Sequence, residues 1–418
     1  MEGTIIKHNP HWKKRYQNLL KRDILDNVVD KLHLRQIEVV KGIRRSGKTS
    51  LLKLLINYLM ENHIEPKSIL YINFDDPFFA EICCDSKNLY KLLEMSEKIT
   101  DVKVAYLFLD EIQNVKRWEK FIKTIYDNEL IKKIFITGSN ASLLDNEYTK
   151  LLSGRYLQDE VMPLSYSEIL KLYNITNRFE LIDKKIQALK LVEEMMLYGS
   201  FFEITKEPKY KRELLVNYYE TIILKDCVSE HNIRDIKGFK EIAHFFISNA
   251  TNLYSYNSLA KAIGSNDNTI KQYIEILKDS YLLNELKQYS YKLKEQIKSK
   301  KKFYVNDNGL LAQISFNFSK NFGKLFENLV YTELKKQNYQ IYFYNKELEC
   351  DFIVVKEQKV IAMQICYMLN KQNLEREING LKRLRFDVDK KILLTFDNEN
   401  ITIDDIEVLS FWDYFAKV

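Results

Sequence analysis

No run of apolar residues in this chain approaches the roughly 18 that a membrane-spanning helix needs. The opening MEGTIIKHNPHWKKRYQ places no apolar segment ahead of its basic cluster. A cytoplasmic protein with no membrane partner is therefore expected. Cysteine is scarce: Cys83, Cys84, Cys227, Cys350 and Cys366 form no CxxC, and the six histidines make no pair at the i, i+4 spacing of a zinc-binding helix. Neither a disulfide framework nor a zinc site is indicated. A strong charge excess is missing too, since 64 Lys and Arg face 58 Asp and Glu for a net charge of +6. That excludes a bulk polyelectrolyte and confines any nucleic-acid surface to a local patch, for which YKLKEQIKSKKKFY, Tyr291 to Tyr304, is the candidate. Internal repeats and low-complexity segments are also absent. What is present is a chain of 418 residues, 46% hydrophobic and 13% aromatic, enough for two or three domains with substantial cores.

The first informative stretch is QIEVVKGIRRSGKTSLL, in which the β-branched run Ile37 to Val40 meets a Gly-x4-Gly-Lys-Thr pattern at Gly42, Gly47, Lys48 and Thr49. Strand, loop and helix follow in that order. Such a loop converges its backbone N–H groups, including those of Ser46 and Ser50, on phosphate oxygens at a helix start, where the helix dipole also favours negative charge. Glycine permits the tight turn. Lys48 would reach the β and γ phosphates, and the Thr49 hydroxyl would complete a magnesium shell. Downstream, VAYLFLDEIQ from Val104 to Gln113 reads as a strand buried on both faces that ends in two acids. In this Walker B pattern Asp110 would hold magnesium and Glu111 would orient or deprotonate the attacking water. SILYINF (68–74), KIFITGSN (133–140) and YLQDEVM (156–162) complete a parallel, doubly wound sheet flanked by helices. Ser139 or Asn140, at the carboxyl edge beside Asp110, would sense the γ-phosphate or else simply cap the next helix.

GIRRSGKTSLL, YINFDDP, YLFLDEIQNVKRWEKFIKTIYD, IFITGSNASLL and LLSGRYLQDEVMPLSYSEIL, in this order, resemble the bacterial and archaeal AAA-type ATPases whose C-terminal half is a domain of unknown function. The resemblance spans nearly the whole chain. It implies ATP as the nucleotide, with Mg2+, and the chain has no convincing NKxD guanine motif to argue otherwise. By analogy with AAA+ enzymes, Arg155 of the Gly154-Arg155 pair is a candidate arginine finger for a neighbouring subunit in a homo-oligomer. Arg44 and Arg45 fit the family's GxRRxGKT loop, either against phosphate or in solvent. The same resemblance makes the segments after MPLSYSEIL a helical lid, with a glycine turn at YGSFFE and a Lys225-Asp226 pair that is either a salt bridge or a sensor contact.

SYNSLAKAIGSNDNTIKQYIEILKDSYLL reads as helix, Gly-containing turn and a second helix opened by Asn268 and Thr269, the layout of a helix-turn-helix. Thr269, Lys271, Gln272 and Tyr273 fall on its early turns. Lys298, Lys300, Lys301 and Lys302 fall where a winged-helix hairpin would meet DNA phosphates; a protein-contact module is the other reading. Beyond it, a helix with Glu327 precedes strands bearing Glu349 and Asp351 and then Gln364-Ile365-Cys366, which resembles the PD-(D/E)xK nuclease core with cysteine in the lysine position. A thiol brings no positive charge to stabilise a phosphorane-like transition state. The domain is therefore expected not to cleave, unless Lys346 or Lys356 restores the charge.

The expectation is an α/β chain in four parts. An AAA-type ATPase core spans 1–165, a helical lid 166–238, a winged-helix segment 239–305 and a small nuclease-like domain 306–418. It would couple ATP hydrolysis to binding of DNA or a protein partner. The alternatives are a non-hydrolysing ATP-gated DNA-binding regulator and an ATP-gated nuclease.

Overall fold

The computed structural model describes residues 1–139, 151–315, 321–346, 348–398 and 400–418. They form two compact units, Met1–Met162 and Pro163–Val418.

The first unit is built on five parallel strands: β1 (Ile37–Lys41), β2 (Ile69–Asn73), β3 (Tyr106–Asp110), β4 (Lys133–Gly138) and β5 (Tyr156–Glu160), in the order β2-β3-β4-β1-β5. Each expected strand is found; β1 runs one residue further, to Lys41, and the other four are trimmed at their ends. Alternation along the strands feeds two cores, one on each face. Val39, Ile72, Leu107 and Ile134 point into one core. Val40, Tyr71, Phe108 and Phe135 point into the other. Phe108 and Phe135 stack there at 4.3 Å. Both faces are dry because helices cover both, as a parallel sheet requires. The helix Lys48–Glu61 turns Leu51, Leu52, Leu55, Ile56 and Leu59 onto the second core. Because all five strands run the same way, whatever follows β1, β3 and β4 meets at one edge of the sheet.

In the second unit, the helices Tyr166–Leu172, Arg178–Asp183, Lys185–Tyr198, Phe202–Lys206 and Lys211–Thr221 carry the helical periodicity expected after residue 165. Lys185–Tyr198 and Lys211–Thr221 both pack on the helix Asn308–Ile314, within the same compact unit. A π-helical turn, Ile222–Ser229, continues the last of them. Lys225 is exposed there and Asp226 is buried.

Residues 236–305 run helix Ile236–Ser248, β6 (Leu253–Tyr254), helix Tyr256–Ile263, helix Asp267–Asp279, β7 (Leu283–Leu286) and β8 (Lys301–Val305), with an antiparallel sheet in the order β6-β8-β7. Ser255 caps the second helix through a capping box, and Gly264 ends it at φ 71° in the left-handed region. The third helix opens one residue earlier than expected, at Asp267. Its cap is Asn266, whose side chain accepts the Thr269 N–H at 2.8 Å, in place of Asn268. The lysine-rich connection between β7 and β8 holds a short helix, Leu293–Lys298.

The C-terminal sheet is mixed. It comprises β9 (Gln340–Asn345), β10 (Glu349–Lys356), β11 (Lys359–Cys366), β12 (Lys390–Thr395), β13 (Ile401–Ile403) and β14 (Ile406–Ser410), in the order β13-β14-β12-β11-β10-β9. The β9, β10 and β11 strands are antiparallel neighbours, while β12 joins β11 in parallel after the helix Leu374–Lys382. The helix Phe322–Lys336 packs on β8, β9 and β11. Among the described residues, no helix is long and apolar enough to cross a membrane.

Candidate nucleotide site and a buried carboxylate cluster

The loop after β1 is shaped by its glycines. Gly42 sits at φ 144°, and a Cβ there would meet the Val161 carbonyl oxygen at 2.2 Å. Gly47 opens the following helix at φ 102°, in the left-handed region. Arg22, which sequence patterning did not single out, braces the loop by donating to the Ser46 carbonyl at 2.9 Å and to the Met162 carbonyl at 2.7 Å. Lys48 is buried and its ammonium donates to the Gly42 carbonyl at 2.9 Å. Arg44 is half-buried, and Arg45 and Ser50 are exposed. The Ser46 hydroxyl is buried with no hydrogen-bond partner among the described residues. A phosphate would satisfy such an orphaned hydroxyl, and the loop offers it beside a buried ammonium at a helix start.

The acidic strand end meets this loop directly. The Thr49 hydroxyl donates to Asp110 Oδ2 at 2.6 Å. Two further hydroxyls, from residues that sequence reading passed over, complete the set. Tyr71 of β2 donates to Oδ2 at 2.8 Å, and Thr137 of β4 donates to Oδ1 at 2.5 Å. Burial, with Asp110 beside it, pushes the Tyr71 phenol far above its ordinary range, so it serves as a donor. Asp110 is fully buried as the acceptor of three hydroxyls. A hydroxyl and a carboxylate are the oxygen donors that magnesium takes, so this pair fits that ion.

Glu111 follows in the left-handed conformation at φ 55°, a costly one for a residue with a side chain. Its N–H donates to Thr137 Oγ1 at 2.9 Å, and Gln113 donates to its carboxylate at 2.5 Å. These two hydrogen bonds, one to the backbone and one to the carboxylate, hold the strained conformation. Ser139 is buried just past β4, the strand between β1 and β3. Asn140 lies outside the described residues. Arg155 precedes β5, and its carbonyl accepts the N–H of Ile37, the first residue of β1. It therefore stands at the opposite edge from the loop, five strand residues away, or roughly 16 Å. There it pairs with Asp127 at 2.9 Å.

In the second unit, Lys271, Gln272, Lys298 and Lys300 are exposed and Thr269 and Tyr273 are half-buried. Lys301 and Lys302 correct the expectation of phosphate contacts, because both are buried. They belong to β8, where alternate residues face opposite sides. Lys301 turns to the helix Tyr256–Ile263, 5.1 Å over the Tyr256 ring. Lys302 turns the other way, into the carboxylates of Glu327 at 3.1 Å, Glu349 at 2.6 Å and Asp351 at 3.8 Å. Tyr304, two residues on, donates to Glu327 at 2.7 Å. Lys346 pairs with Glu295 and Lys356 donates to the Gln337 carbonyl, so neither supplies the cation sought from sequence. Lys302 does. Gln364 turns its amide to Glu377 at 2.9 Å, and Cys366 lies in the apolar core, where burial pushes its thiol up to about 11. The cluster lines a cleft of about 970 Å³.

Residues 34–170 match an AAA domain. Residues 189–321 and 322–414 match two domains of unknown function (DUF8612 and DUF4143). Among solved structures, AMPPCP-bound DnaA from Aquifex aeolicus is similar at 17% identity, with 61% of this chain and 86% of that one covered and a TM-score of 0.28. The Aeropyrum pernix ORC1 protein in complex with DNA is similar at 10% identity, with 76% and 97% covered and a TM-score of 0.33. An uncharacterized protein of Haemophilus influenzae is 29% identical over 392 residues, 91% of this chain and 94% of that one. An uncharacterized protein of Methanocaldococcus jannaschii is 35% identical over 409 residues, 92% of this chain and 89% of its own. The chain belongs to the same family as that archaeal protein and carries an AAA domain ahead of two domains of unknown function.

Proposed function

We propose that this protein binds and hydrolyses ATP in the first unit and couples the nucleotide state to DNA binding through the second. The observation that carries the reading is the Thr49–Asp110 hydrogen bond at 2.6 Å, which joins the phosphate-type loop to the acidic strand end. When bound, magnesium-ATP supplies the phosphoanhydride bond and a cation that offsets charge on its oxygens. Lys48, Ser46 and the loop N–H groups would hold the phosphates, with Arg44 and Arg45 beside them. Thr49 and Asp110 would hold the ion. Glu111 would orient and deprotonate water, its reach fixed by Thr137 and Gln113. Ser139 would report the γ-phosphate. Arg155, at the far edge of its own sheet, is suited to a neighbouring protomer's site rather than its own.

Residues 236–305 have the order of a winged helix, with Lys271 and Gln272 on the exposed face of the second helix of the helix-turn-helix and Lys298 and Lys300 on the hairpin. The C-terminal sheet has the helix, three-strand, helix, strand order of a PD-(D/E)xK domain, read here as a fold kept for binding without cleavage. Hydrolysis by wild type, Lys48→Ala and Glu111→Gln, each with and without duplex DNA, tests the proposal. DNA-stimulated turnover lost in both variants supports it. ATP bound without turnover would make the chain a nucleotide-gated binding protein instead.

A further inference from the structure

A nuclease-like core implies a divalent cation between the helix glutamate and the strand acids, and the residues present do not fit one. Three carboxylates, Glu327, Glu349 and Asp351, converge from one helix and one strand. The space they share is taken by the Lys302 ammonium, which bonds Glu327 at 3.1 Å and Glu349 at 2.6 Å and stands 3.8 Å from Asp351. The lysine side chain is 3% exposed, too buried to be a flexible surface arm that happened to fold inward. The third position of the motif offers no acid either, because Gln364 fills it, its NH2 donating to Glu377 at 2.9 Å and its amide oxygen accepting the Asp351 N–H at 3.4 Å. Asp351 is further committed by accepting the Ile365 N–H at 2.9 Å, and the Tyr304 hydroxyl already takes Glu327. Among the described residues, no group of three or more His, Cys, Asp or Glu is arranged to hold a metal ion.

We propose that Lys302 is a resident cation in the place where a metal would sit. It makes the cluster an internal electrostatic clamp, tying β8 of the helix-turn-helix sheet to the helix Phe322–Lys336 and to β10. The inference is independent of ATP hydrolysis and uses the nuclease-like reading only for the expectation of a metal. Three acids against one ammonium leave the cluster short of positive charge, so removing the ammonium creates an oxygen-lined site of the kind that hard divalent cations occupy. β8 enters this cluster from outside the C-terminal sheet, so a cation on this strand also fixes how the helix-turn-helix segment meets the carboxylates.

The test is Mn2+ binding to the full chain without nucleotide, followed by electron paramagnetic resonance. Wild type should show no ion that Asp351→Asn removes. Lys302→Met should gain a site at least tenfold tighter than any in wild type, lost again in Lys302→Met/Asp351→Asn. An Asp351-dependent Mn2+ site in wild type would overturn the proposal, and so would a folded Lys302→Met that binds no Mn2+. Should Lys302→Met fail to fold, Lys302→Gln replaces the ammonium with a neutral donor and is held to the same two outcomes.

Discussion

Asp110 and Asp351 are both buried strand carboxylates, yet their charges are met in opposite ways. Asp110 accepts hydrogen bonds from three neutral hydroxyls, those of Thr49, Tyr71 and Thr137, so its negative charge is oriented but not cancelled. Asp351 shares a cluster with Glu327 and Glu349 around the ammonium of Lys302, so the protein supplies the compensating charge itself. Hydroxyls leave a carboxylate open to an external cation; a buried lysine answers it from within. The number of acids alone would rank these sites the other way round.

The largest effect that sharpens this contrast is expected at Glu111. Glu111→Gln should keep ATP binding and lower turnover by about 10²–10⁴-fold, the range for losing a positioned acid-base group, as measured by steady-state phosphate release. Next is Lys302→Met, which strands the carboxylates and should cost about 3–5 kcal/mol, read from urea unfolding of the second unit, with partial recovery when Asp351→Asn is added. Thr137→Val should cost about 1–3 kcal/mol in unfolding of the first unit, because it unpairs the Glu111 N–H as well as releasing Asp110, while Tyr71→Phe removes one donor and should cost about 1 kcal/mol. The smallest is a pH effect. Burial first, and then the charge on Glu327, hold the Asp351 carboxyl above its ordinary range in spite of Lys302. The folded state then retains a proton that the unfolded chain releases near pH 4, so this group's contribution to stability falls as pH rises from about 4 through the raised value. Asp351→Asn should remove that part of the slope in thermal midpoints taken across the range.

Much of the first unit was legible in sequence because its signals are local. A β-branched run before Gly-x4-Gly-Lys-Thr can only be strand, loop and helix, and an apolar strand ending in Asp-Glu marks its own carboxyl edge. The order β2-β3-β4-β1-β5 was not written in any one segment, and it is this order that brings Thr137 and Tyr71 to Asp110. Both residues sit in strands that were recognised, but a hydroxyl facing a neighbouring strand's acid leaves no periodic trace. In the second unit the helices Tyr256–Ile263 and Asp267–Asp279 were marked by Gly264 and the Asn-rich turn between them. The lysine run misled because charge was counted along the chain, whereas β8 begins at Lys301 and alternation sends Lys302 inward. The signal available was KKFYV itself, a strand-like stretch whose every second residue had to face something.

The most direct test of the contrast is a Mn2+ titration of the wild-type chain with and without a non-hydrolysable ATP analogue, repeated for Asp110→Asn and Asp351→Asn. One tightly bound ion that requires nucleotide, is lost with Asp110→Asn and is unchanged by Asp351→Asn is the predicted result. An ion bound without nucleotide and lost with Asp351→Asn would contradict the account.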